Sequence, residues 1–411
     1  MNSLSQTDTE IACAIRNEEK RQQDVLELIP SENIVSSAVL EALGSVFTNK
    51  YSEGYPGKRY YGGNEFTDVV EQLAIDRAKS LFGSEYANVQ ALSGSPANLA
   101  AYYAFMEHGD KFMAMSLSEG GHLTHGHKVN FSGKWFTPVH YRVDKETHLL
   151  DFDAIRKQAI EEKPKIILSG YTAYPRLIDF KAFKEIADEV GAICMSDIAH
   201  IAGLCCAGVH ENPVPYYDVV TTTTHKTLRG PRGAIIFSND EEKAKKIDKA
   251  VFPGLQGGPH ENTIAAIAVA LKEADSAEFK AYARQIVANA KALAEALMGE
   301  GFDLVTGGTD NHLMLVDLTK KGISGKQAER ALDEAGITVN ANTIPFDERK
   351  PWDPSGIRLG TPTLTTRGMR EGEMKDVASF ISRVIAAPVD ASVKAKVKSE
   401  VVELCSRFPV E

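Results

Sequence analysis

The sequence predicts an α/β fold in which a larger unit with a mainly parallel sheet is followed by a smaller α+β unit. The chain has 411 residues, more than one hydrophobic core usually organises. Short apolar runs alternate with segments of helical periodicity, the pattern of buried parallel strands joined by helices. An alanine-rich helical segment then begins near Glu278 and leads into further strands and helices.

The apolar runs define the predicted strands of the larger unit. They are Phe112–Met115, Ile166–Ser169, Ile193–Asp197, Val219–Thr223 and Ala234–Phe237. In sheets of this kind ligands bind beyond the carboxyl ends of the strands. The loops that follow these runs are therefore the places to look for chemistry.

Helical periodicity and punctuating glycines predict the helices between these strands. Apolar residues from Phe66 to Leu81 repeat at helical spacing, and Gly83 ends the helix. Residues 183–190 form a second stripe that closes at Gly191. We expect an N-terminal arm over residues 1–50, a large domain over 51–277 and a small domain over 278–411.

Within the small domain, the pattern predicts a strand at Leu313–Leu318 and a helix capped by Ser324. A second strand is expected at Ile337–Asn340, followed by two closing helices.

Composition excludes several classes of function. The 46 basic and 56 acidic residues give a net charge of −10, which disfavours nucleic-acid binding. No apolar stretch is long enough to span a membrane, and residues 1–21 lack the apolar core of a signal peptide. The five cysteines form no C-x-x-C pair, which fits a reducing cytoplasm and argues against disulfides or a zinc site.

The segment Ser93–Asn98 is suited to binding a phosphate. Pro96 favours the first helical position, which makes Ser95 the expected N-cap. Free N–H groups, the helix dipole and two hydroxyls would then attract an anion. Ser-Pro helix starts are also common without any ligand, so this segment alone leaves both interpretations open.

Asp197 ends one predicted buried strand, and Lys226 comes shortly after the next one, Val219–Thr223. An acid at position 197 could pair with the protonated nitrogen of a pyridine ring, although it could equally cap a helix beside a core histidine, His200. Partial burial of Lys226 would lower its pKa, as a Schiff-base lysine requires. The alternative is a solvated lysine at a strand end.

Three further motifs carry candidate groups. The glycines around His122 and His125 indicate a histidine that stacks on a flat ring, with a metal site as the alternative. Glu53 lies in a loop rich in Tyr and Gly, where it could act as an acid or base or belong to an interface. Arg358 could clamp a carboxylate, or form a structural salt bridge. Together with the phosphate-binding segment Ser93–Asn98, Asp197 and Lys226, these groups are the parts of an amino-acid pyridoxal enzyme.

At these motifs the chain resembles the serine hydroxymethyltransferase family of fold type I (aspartate-aminotransferase-like) pyridoxal enzymes. The resemblance runs from about Ile29 to Pro409 and is carried by Asn49–Gly63, Gly120–Gly126 and Thr221–Lys226. It implies pyridoxal phosphate as cofactor, tetrahydrofolate as cosubstrate, and a homodimer whose active site is shared between subunits.

The resemblance also implies roles for individual residues. Lys226 would carry the cofactor as an aldimine, and the implied catalytic set is Lys226, Glu53, His225, Asp197 and His122. The cofactor would contact Ser93, Gly94, Ser95, His122, Thr172, Asp197, His200 and Lys226, with Gly257 and Gly258 of a second subunit. The amino-acid substrate would contact Ser31, Tyr51, Glu53, Tyr61, His200 and Arg358, with the tyrosines from the neighbouring subunit. The folate would contact Leu117, Gly121, Leu123 and Asn342.

The activity implied is conversion of serine and tetrahydrofolate to glycine and methylenetetrahydrofolate. A folate-independent threonine or allo-threonine aldolase is the alternative, which would have no need of the folate-side residues. A non-catalytic pyridoxal-binding protein would not need Lys226, Asp197 and Arg358 together. A nicotinamide oxidoreductase is disfavoured because no G-x-G-x-x-G follows a predicted strand.

Overall fold

The computed structural model of the protein describes residues 3–410. Helices and strands alternate through most of this range, as an α/β fold requires. The α-helices are α1 (Ser3–Thr7), α2 (Thr9–Asp24), α3 (Ser37–Leu43), α4 (Glu65–Phe82), α5 (Gly94–Phe105), α6 (Phe131–Trp135), α7 (Phe152–Glu162), α8 (Phe180–Val190), α9 (Ala202–Cys206), α10 (Glu241–Lys249), α11 (Glu261–Ala274), α12 (Ala277–Gly299), α13 (Gly325–Glu334), α14 (Pro362–Thr366), α15 (Glu371–Ala386) and α16 (Ala391–Ser406).

The strands form one large sheet, one smaller sheet and two short pairs. They are β1 (Leu26–Glu27), β2 (Gly54–Tyr55), β3 (Lys58–Arg59), β4 (Tyr86–Asn88), β5 (Lys111–Met115), β6 (Thr137–Tyr141), β7 (Ile166–Ser169), β8 (Ile193–Asp197), β9 (Val219–Thr223), β10 (Ala234–Ser238), β11 (Asp303–Leu304), β12 (Leu313–Asp317), β13 (Ile337–Thr338), β14 (Asn340–Asn342) and β15 (Gly356–Gly360). The seven-stranded sheet has the order β4-β10-β9-β8-β7-β5-β6.

The large sheet is parallel from β6 through β9, and the five predicted strands all occur in it. The predicted strand Ala234–Phe237 differs in direction, because β10 runs antiparallel to β9. Only residues 224–233 connect the two strands, and a parallel crossover needs a dozen residues or more. β4 then pairs antiparallel with β10 and so runs in the same direction as β9.

Helix α8 shows how the local sequence determines where a helix begins and ends. The side chain of Asp179 accepts a hydrogen bond from the N–H of Ala182 and caps α8. Phe180, Phe183 and Ile186 lie on its buried face. The helix stops at Gly191, whose φ of +69° is a left-handed conformation that glycine adopts without steric cost. This helix was predicted from the same stripe and the same glycine.

The C-terminal part of the chain has its own sheet and hydrophobic core. The sheet has the order β11-β12-β15-β14 and is antiparallel throughout. The predicted cap of α13 is present, because Ser324 and Gln327 form a reciprocal capping box. The apolar core of this part includes Leu26 and Leu28 from the N-terminal arm.

The predicted strand Ile337–Asn340 is divided into two. Its first residues form β13, which pairs in parallel with β1 of the N-terminal arm. The next strand, β14, pairs with β15 in the smaller sheet. The domain boundaries after residues 50 and 277 stay a prediction.

Candidate active site

A cavity of about 420 Å³ lies where strands of the large sheet end. β7, β8 and β9 run in parallel, so the residues that follow them meet at one edge of the sheet. The smaller sheet closes the cavity by contributing one side chain, Arg358. The lining residues are Ser31, Glu32, Ser93, Gly94, Ser95, His122, His125, Tyr171, Thr172, Asp197, Ala199, His200, Thr223, His225, Lys226, Arg232 and Arg358.

One end of the cavity is formed by the start of α5. The helix begins at Gly94 with Ser93 as N-cap, two residues earlier than the N-cap predicted from Pro96. A Cβ at Gly94 would lie 2.7 Å from a methyl group of Thr223, so glycine allows the first turn to approach β9. The hydroxyls of Ser93 and Ser95 make no hydrogen bond with any residue in 3–410, which leaves both available to an anion at the helix N-terminus.

Asp197 is held as a carboxylate by two neighbours. Its Oδ2 accepts a hydrogen bond of 2.8 Å from Nδ2 of Asn98 and lies 3.3 Å from Nε2 of His125. Burial by itself would raise the pKa of Asp197, but the hydrogen bond from His125 and the positive charges nearby hold that pKa well below its usual range. The carboxylate therefore stays ionised and can pair with a positively charged ligand group.

Lys226 lies buried at the end of β9, with only 9% of its surface exposed. Within residues 3–410 its Nζ has no hydrogen bond or ion pair. Burial lowers the pKa of Lys226 to about 8, assisted by Arg358 and Arg232 and opposed by Asp197. An amine with this pKa is partly neutral near pH 7 and can act as a nucleophile.

Arg358 reaches the cavity from β15. Its Nε donates to Oδ1 of Asn340 at 3.0 Å, and its Nη1 donates to the carbonyl oxygen of Thr172 at 2.7 Å. No carboxylate in the described part of the chain pairs with it, so the salt bridge considered from the sequence is not formed. Burial lowers the pKa of Arg358 to about 10, and the guanidinium remains charged at neutral pH. An unpaired cation in a cavity fits an anionic ligand.

Three histidines of the site are kept neutral by burial. Burial lowers the pKa of His122 to about 4 and that of His225 to about 3. The pKa of His200 also lies well below its usual value, because of burial and the charges of Lys226 and Arg358. Nδ1 of His122 lies 2.7 Å from Oγ1 of Thr124, which fixes the orientation of the ring.

Five of the residues expected at the site lie together elsewhere on the same chain. Oη of Tyr51 donates to Oε1 of Glu53 at 3.1 Å, and the rings of Tyr51 and Tyr61 pack edge to face at 5.3 Å. A Cβ at Gly257 would lie 3.1 Å from Glu53, and one at Gly258 would lie 3.4 Å from Tyr51. None of these five residues lines the cavity that contains Lys226. We call them the Glu53 cluster.

A second cavity, of about 540 Å³, adjoins the first. Thr172 lines both, so the two cavities share a wall. Of the four residues expected to contact folate, Leu117 and Asn342 line the second cavity, whereas Gly121 and Leu123 do not. Gly121 instead packs tightly on the backbone, since a Cβ there would lie 2.2 Å from the carbonyl oxygen of Met115.

The structure adds residues that the sequence did not single out for the cofactor. Asn98 and His125 hold Asp197, Asn340 holds Arg358, and Arg232 lines the cavity. Asn98 is one helical turn after Ser95 and His125 is three residues after His122, so both lie in motifs already noticed. Their contact with Asp197 depends on tertiary packing and has no sequence signal.

His122 and His125 do not belong to a metal-binding group, since residues 3–410 contain no cluster of three or more His, Cys, Asp or Glu side chains that could hold an ion. None of the helices in the described range is both long and apolar enough to cross a membrane.

Comparison with known proteins identifies the family. The family model for serine hydroxymethyltransferase matches residues 4–381. A protein of that name from Desulfotalea psychrophila is 58% identical over 409 residues, covering 100% of this chain and 96% of the relative. Serine hydroxymethyltransferases from Acidothermus cellulolyticus and Prochlorococcus marinus are 59% and 57% identical, and the matches cover 99% and 98% of this chain and 96% and 98% of the relatives. The chain therefore belongs to the serine hydroxymethyltransferase family, whose members are fold type I pyridoxal-phosphate enzymes.

Proposed function

We propose that this protein is a serine hydroxymethyltransferase, which converts L-serine and tetrahydrofolate reversibly to glycine and 5,10-methylenetetrahydrofolate. The observation that carries the proposal is the cavity in which Lys226 and Arg358, two cations without carboxylate partners, face the ionised Asp197. Full-length relatives at 57–59% identity bear the name of this activity.

The residues of the cavity fit pyridoxal phosphate. The N-terminus of α5 with Ser93 and Ser95 suits a phosphate. Asp197 suits a protonated pyridine nitrogen, and His122 offers a flat neutral ring. Lys226 offers an amine for the aldehyde carbon. When bound, the cofactor supplies an electron sink conjugated to the Cα of the amino acid.

Each of these groups has a defined task in the reaction. With the cofactor bound, Asp197 would keep a proton on the pyridine nitrogen, which would stabilise negative charge at Cα of the substrate. Nζ of Lys226 would hold the cofactor through its aldehyde carbon. The free N–H groups of Arg358 bind the serine carboxylate, with Ser31 on the same cavity wall. Fixing the carboxylate orients the bond between Cα and Cβ for cleavage.

We infer that folate occupies the second cavity. Thr172 lies between the two cavities, and Leu117 and Asn342 supply apolar and amide contacts there. The one-carbon unit, which is Cβ of serine, would leave Cα and pass to the folate beside Thr172. Pro351 lines the second cavity, and Lys350 lies over the ring of Trp352. These three consecutive residues are therefore the proposed contacts of the folate tail.

We infer that the active enzyme is a homodimer in which each Lys226 cavity receives the Glu53 cluster of the other chain. The cluster lies apart from the cavity within one chain, and apolar side chains around it are exposed. Tyr60 and Phe66 are each 72% exposed and Val69 is 55% exposed. Large apolar side chains exposed near one another favour a protein interface. Glu53 would then act as acid or base on the partner's substrate.

We place the enzyme in the cytoplasm. The support is chemical: all five cysteines are free thiols, and three of them are buried in the cores. Cytosolic proteins keep thiols reduced, whereas secreted proteins usually pair them.

A paired assay tests the proposed activity. Glycine formation from serine is measured on the pyridoxal-phosphate-loaded enzyme with and without tetrahydrofolate. We expect strong dependence on folate, and loss of turnover in Lys226→Ala. Cleavage of threonine without folate, together with no gain on serine when folate is added, would instead identify the aldolase.

A further inference from the structure

A second buried histidine lies behind His200. His312 directly precedes β12, and its side chain is fully buried. Its ring is 5.5 Å from that of His200 and inclined to it by 27°. Nδ1 of His200 and Nε2 of His312 are 3.2 Å apart, so a hydrogen bond joins the loop after β8 to the smaller sheet.

The two imidazoles are both neutral. Burial lowers the pKa of His312 to about 3, with Arg358 and Lys226 acting in the same direction. His200 is buried among the same positive charges, and its pKa is also lowered. A neutral imidazole carries one hydrogen on one of its two nitrogens. Of the two nitrogens that face each other, one must donate and the other must accept.

The surroundings of His312 decide which nitrogen donates. Its Nδ1 is buried and has no hydrogen-bond partner within residues 3–410. An orphaned buried N–H group is rarer in proteins than an orphaned acceptor. The arrangement without an orphaned N–H has the hydrogen of His312 on Nε2, where it donates to Nδ1 of His200. His200 must then carry its own hydrogen on Nε2.

We propose that His312 is a positioning residue that fixes the hydrogen of His200 on Nε2, so that His200 presents an N–H donor to the cofactor cavity. His200 lines that cavity, and within residues 3–410 its ring is hydrogen-bonded through Nδ1 alone. A neutral N–H donor there requires a hydrogen-bond acceptor, and an ionised oxygen accepts more strongly than a neutral hydroxyl. If the cavity holds pyridoxal phosphate, as the proposed function requires, the matching group is the ionised ring hydroxyl. The positive charges of Lys226 and Arg358 favour the same ionised form.

Nitrogen NMR reads the proton positions directly. The protein is labelled with [¹⁵N]histidine, and imidazole nitrogens are recorded with and without pyridoxal phosphate. Signals of the two residues are assigned by their loss in His200→Gln and His312→Gln. We expect protonated Nε2 and unprotonated Nδ1 on both rings. A hydrogen on Nδ1 of His200, or a charged imidazolium at either residue, would overturn the proposal. This readout needs no turnover, so it stands apart from the proposed activity.

Two variants separate positioning from packing. His312→Gln supplies an amide N–H near the place of Nε2, whereas His312→Leu keeps the volume without a donor. We expect the Gln variant to retain the His200 proton position and a kcat within about threefold of wild type. The Leu variant should keep the KM for serine, lose about tenfold in kcat, and shift the pH titration of the cofactor absorbance.

Equal losses in both variants, with the His200 proton position unchanged in each, would reduce His312 to a packing role and overturn the proposal. If the Leu variant does not fold, the wild-type spectrum and the Gln variant still decide the matter.

Discussion

Nη1 of Arg358 donates a hydrogen bond of 2.7 Å to the carbonyl oxygen of Thr172. This bond ties the smaller sheet to the loop after β7, at the wall that the two cavities share. One side of the guanidinium is used to hold the site together, and the remaining N–H groups face the cavity. The arginine that we propose binds the substrate carboxylate is thus also a structural link between the smaller sheet and the loop after β7.

Arg358→Lys tests whether Arg358 both links the smaller sheet to the loop after β7 and binds the substrate carboxylate. Lysine cannot reproduce the planar fork, so it loses either the Thr172 and Asn340 contacts or the carboxylate. We expect kcat/KM for serine to fall about 100-fold, mostly through KM, in steady-state kinetics. Arg330→Lys, on the exposed face of α13, is the matched control and should change nothing. An unchanged KM in Arg358→Lys would remove Arg358 from the substrate site.

Asp197→Asn tests whether the charge of Asp197 acts on the pyridine nitrogen, as we propose. The amide keeps the size of the side chain but cannot hold the pyridinium proton, so the electron sink weakens. We expect kcat to fall by roughly 10²–10⁴-fold while the cofactor stays bound. The measurement combines turnover with cofactor absorbance, and Asp376→Asn on the exposed face of α15 is the control. Near-normal turnover in Asp197→Asn would contradict the assigned role.

The pKa of Lys226 predicts how cofactor loading depends on pH. Burial lowers that pKa from 10.5 to about 8, so the neutral amine becomes the major form above pH 8. The rate at which the apo-protein binds pyridoxal phosphate should therefore rise through pH 8 and level off above it. Stopped-flow absorbance between pH 6 and 11 measures this. A rate that continues to rise through pH 10 would indicate an ordinary solvated lysine.

The lowered pKa of Lys226 also predicts how the free energy of unfolding changes with pH. Because the folded pKa of Lys226 is depressed, the folded state holds fewer protons than the unfolded state between pH 8 and 10.5. Lys226 therefore opposes folding most strongly below pH 8, and this opposition fades as pH rises to 10.5. Lys226→Met should remove this contribution to the pH dependence of apo-protein unfolding.

Gly121→Ala tests the close packing of Gly121 on the backbone of Met115. The new Cβ would lie 2.2 Å from the carbonyl oxygen of Met115, so the backbone must move. We expect a loss of about 1–3 kcal/mol in the free energy of unfolding by urea. Gly372→Ala is the matched control, because nothing lies within 4 Å of a Cβ there. It lies within α15 and should be neutral or slightly stabilising. Equal stability of the two variants would show that the loop at Gly121 yields easily.

Much of the large sheet could be predicted from the sequence. Ile166–Ser169, Ile193–Asp197 and Val219–Thr223 have the predicted bounds, because buried parallel strands are continuous apolar runs between turn residues. The direction of β10 was not readable from its own residues. It follows from the short connection before it, a property of chain length and not of periodicity.

The candidate site could be predicted only in part. Lys226, Asp197 and Arg358 are marked by their places after or within strands, and the structure brings them into one cavity. The side chains that form hydrogen bonds with Asp197 and Arg358 were not identified from the sequence. Asn98 and His125 approach Asp197 from 99 and 72 residues away in the chain, a contact that packing alone creates.

We propose that the Lys226 cavity of one chain works with the Glu53 cluster of a second copy. Lys226→Ala and Glu53→Gln enzymes are purified, mixed, dissociated and reassociated, and serine-to-glycine turnover with tetrahydrofolate is measured. In a mixed dimer, one cavity would then combine an intact Lys226 with an intact Glu53. Random reassociation should restore about a quarter of wild-type activity, since half the dimers are mixed and each has one intact site. Mixtures no more active than the average of the two parents, despite mass spectrometric proof of mixed dimers, would contradict the shared site.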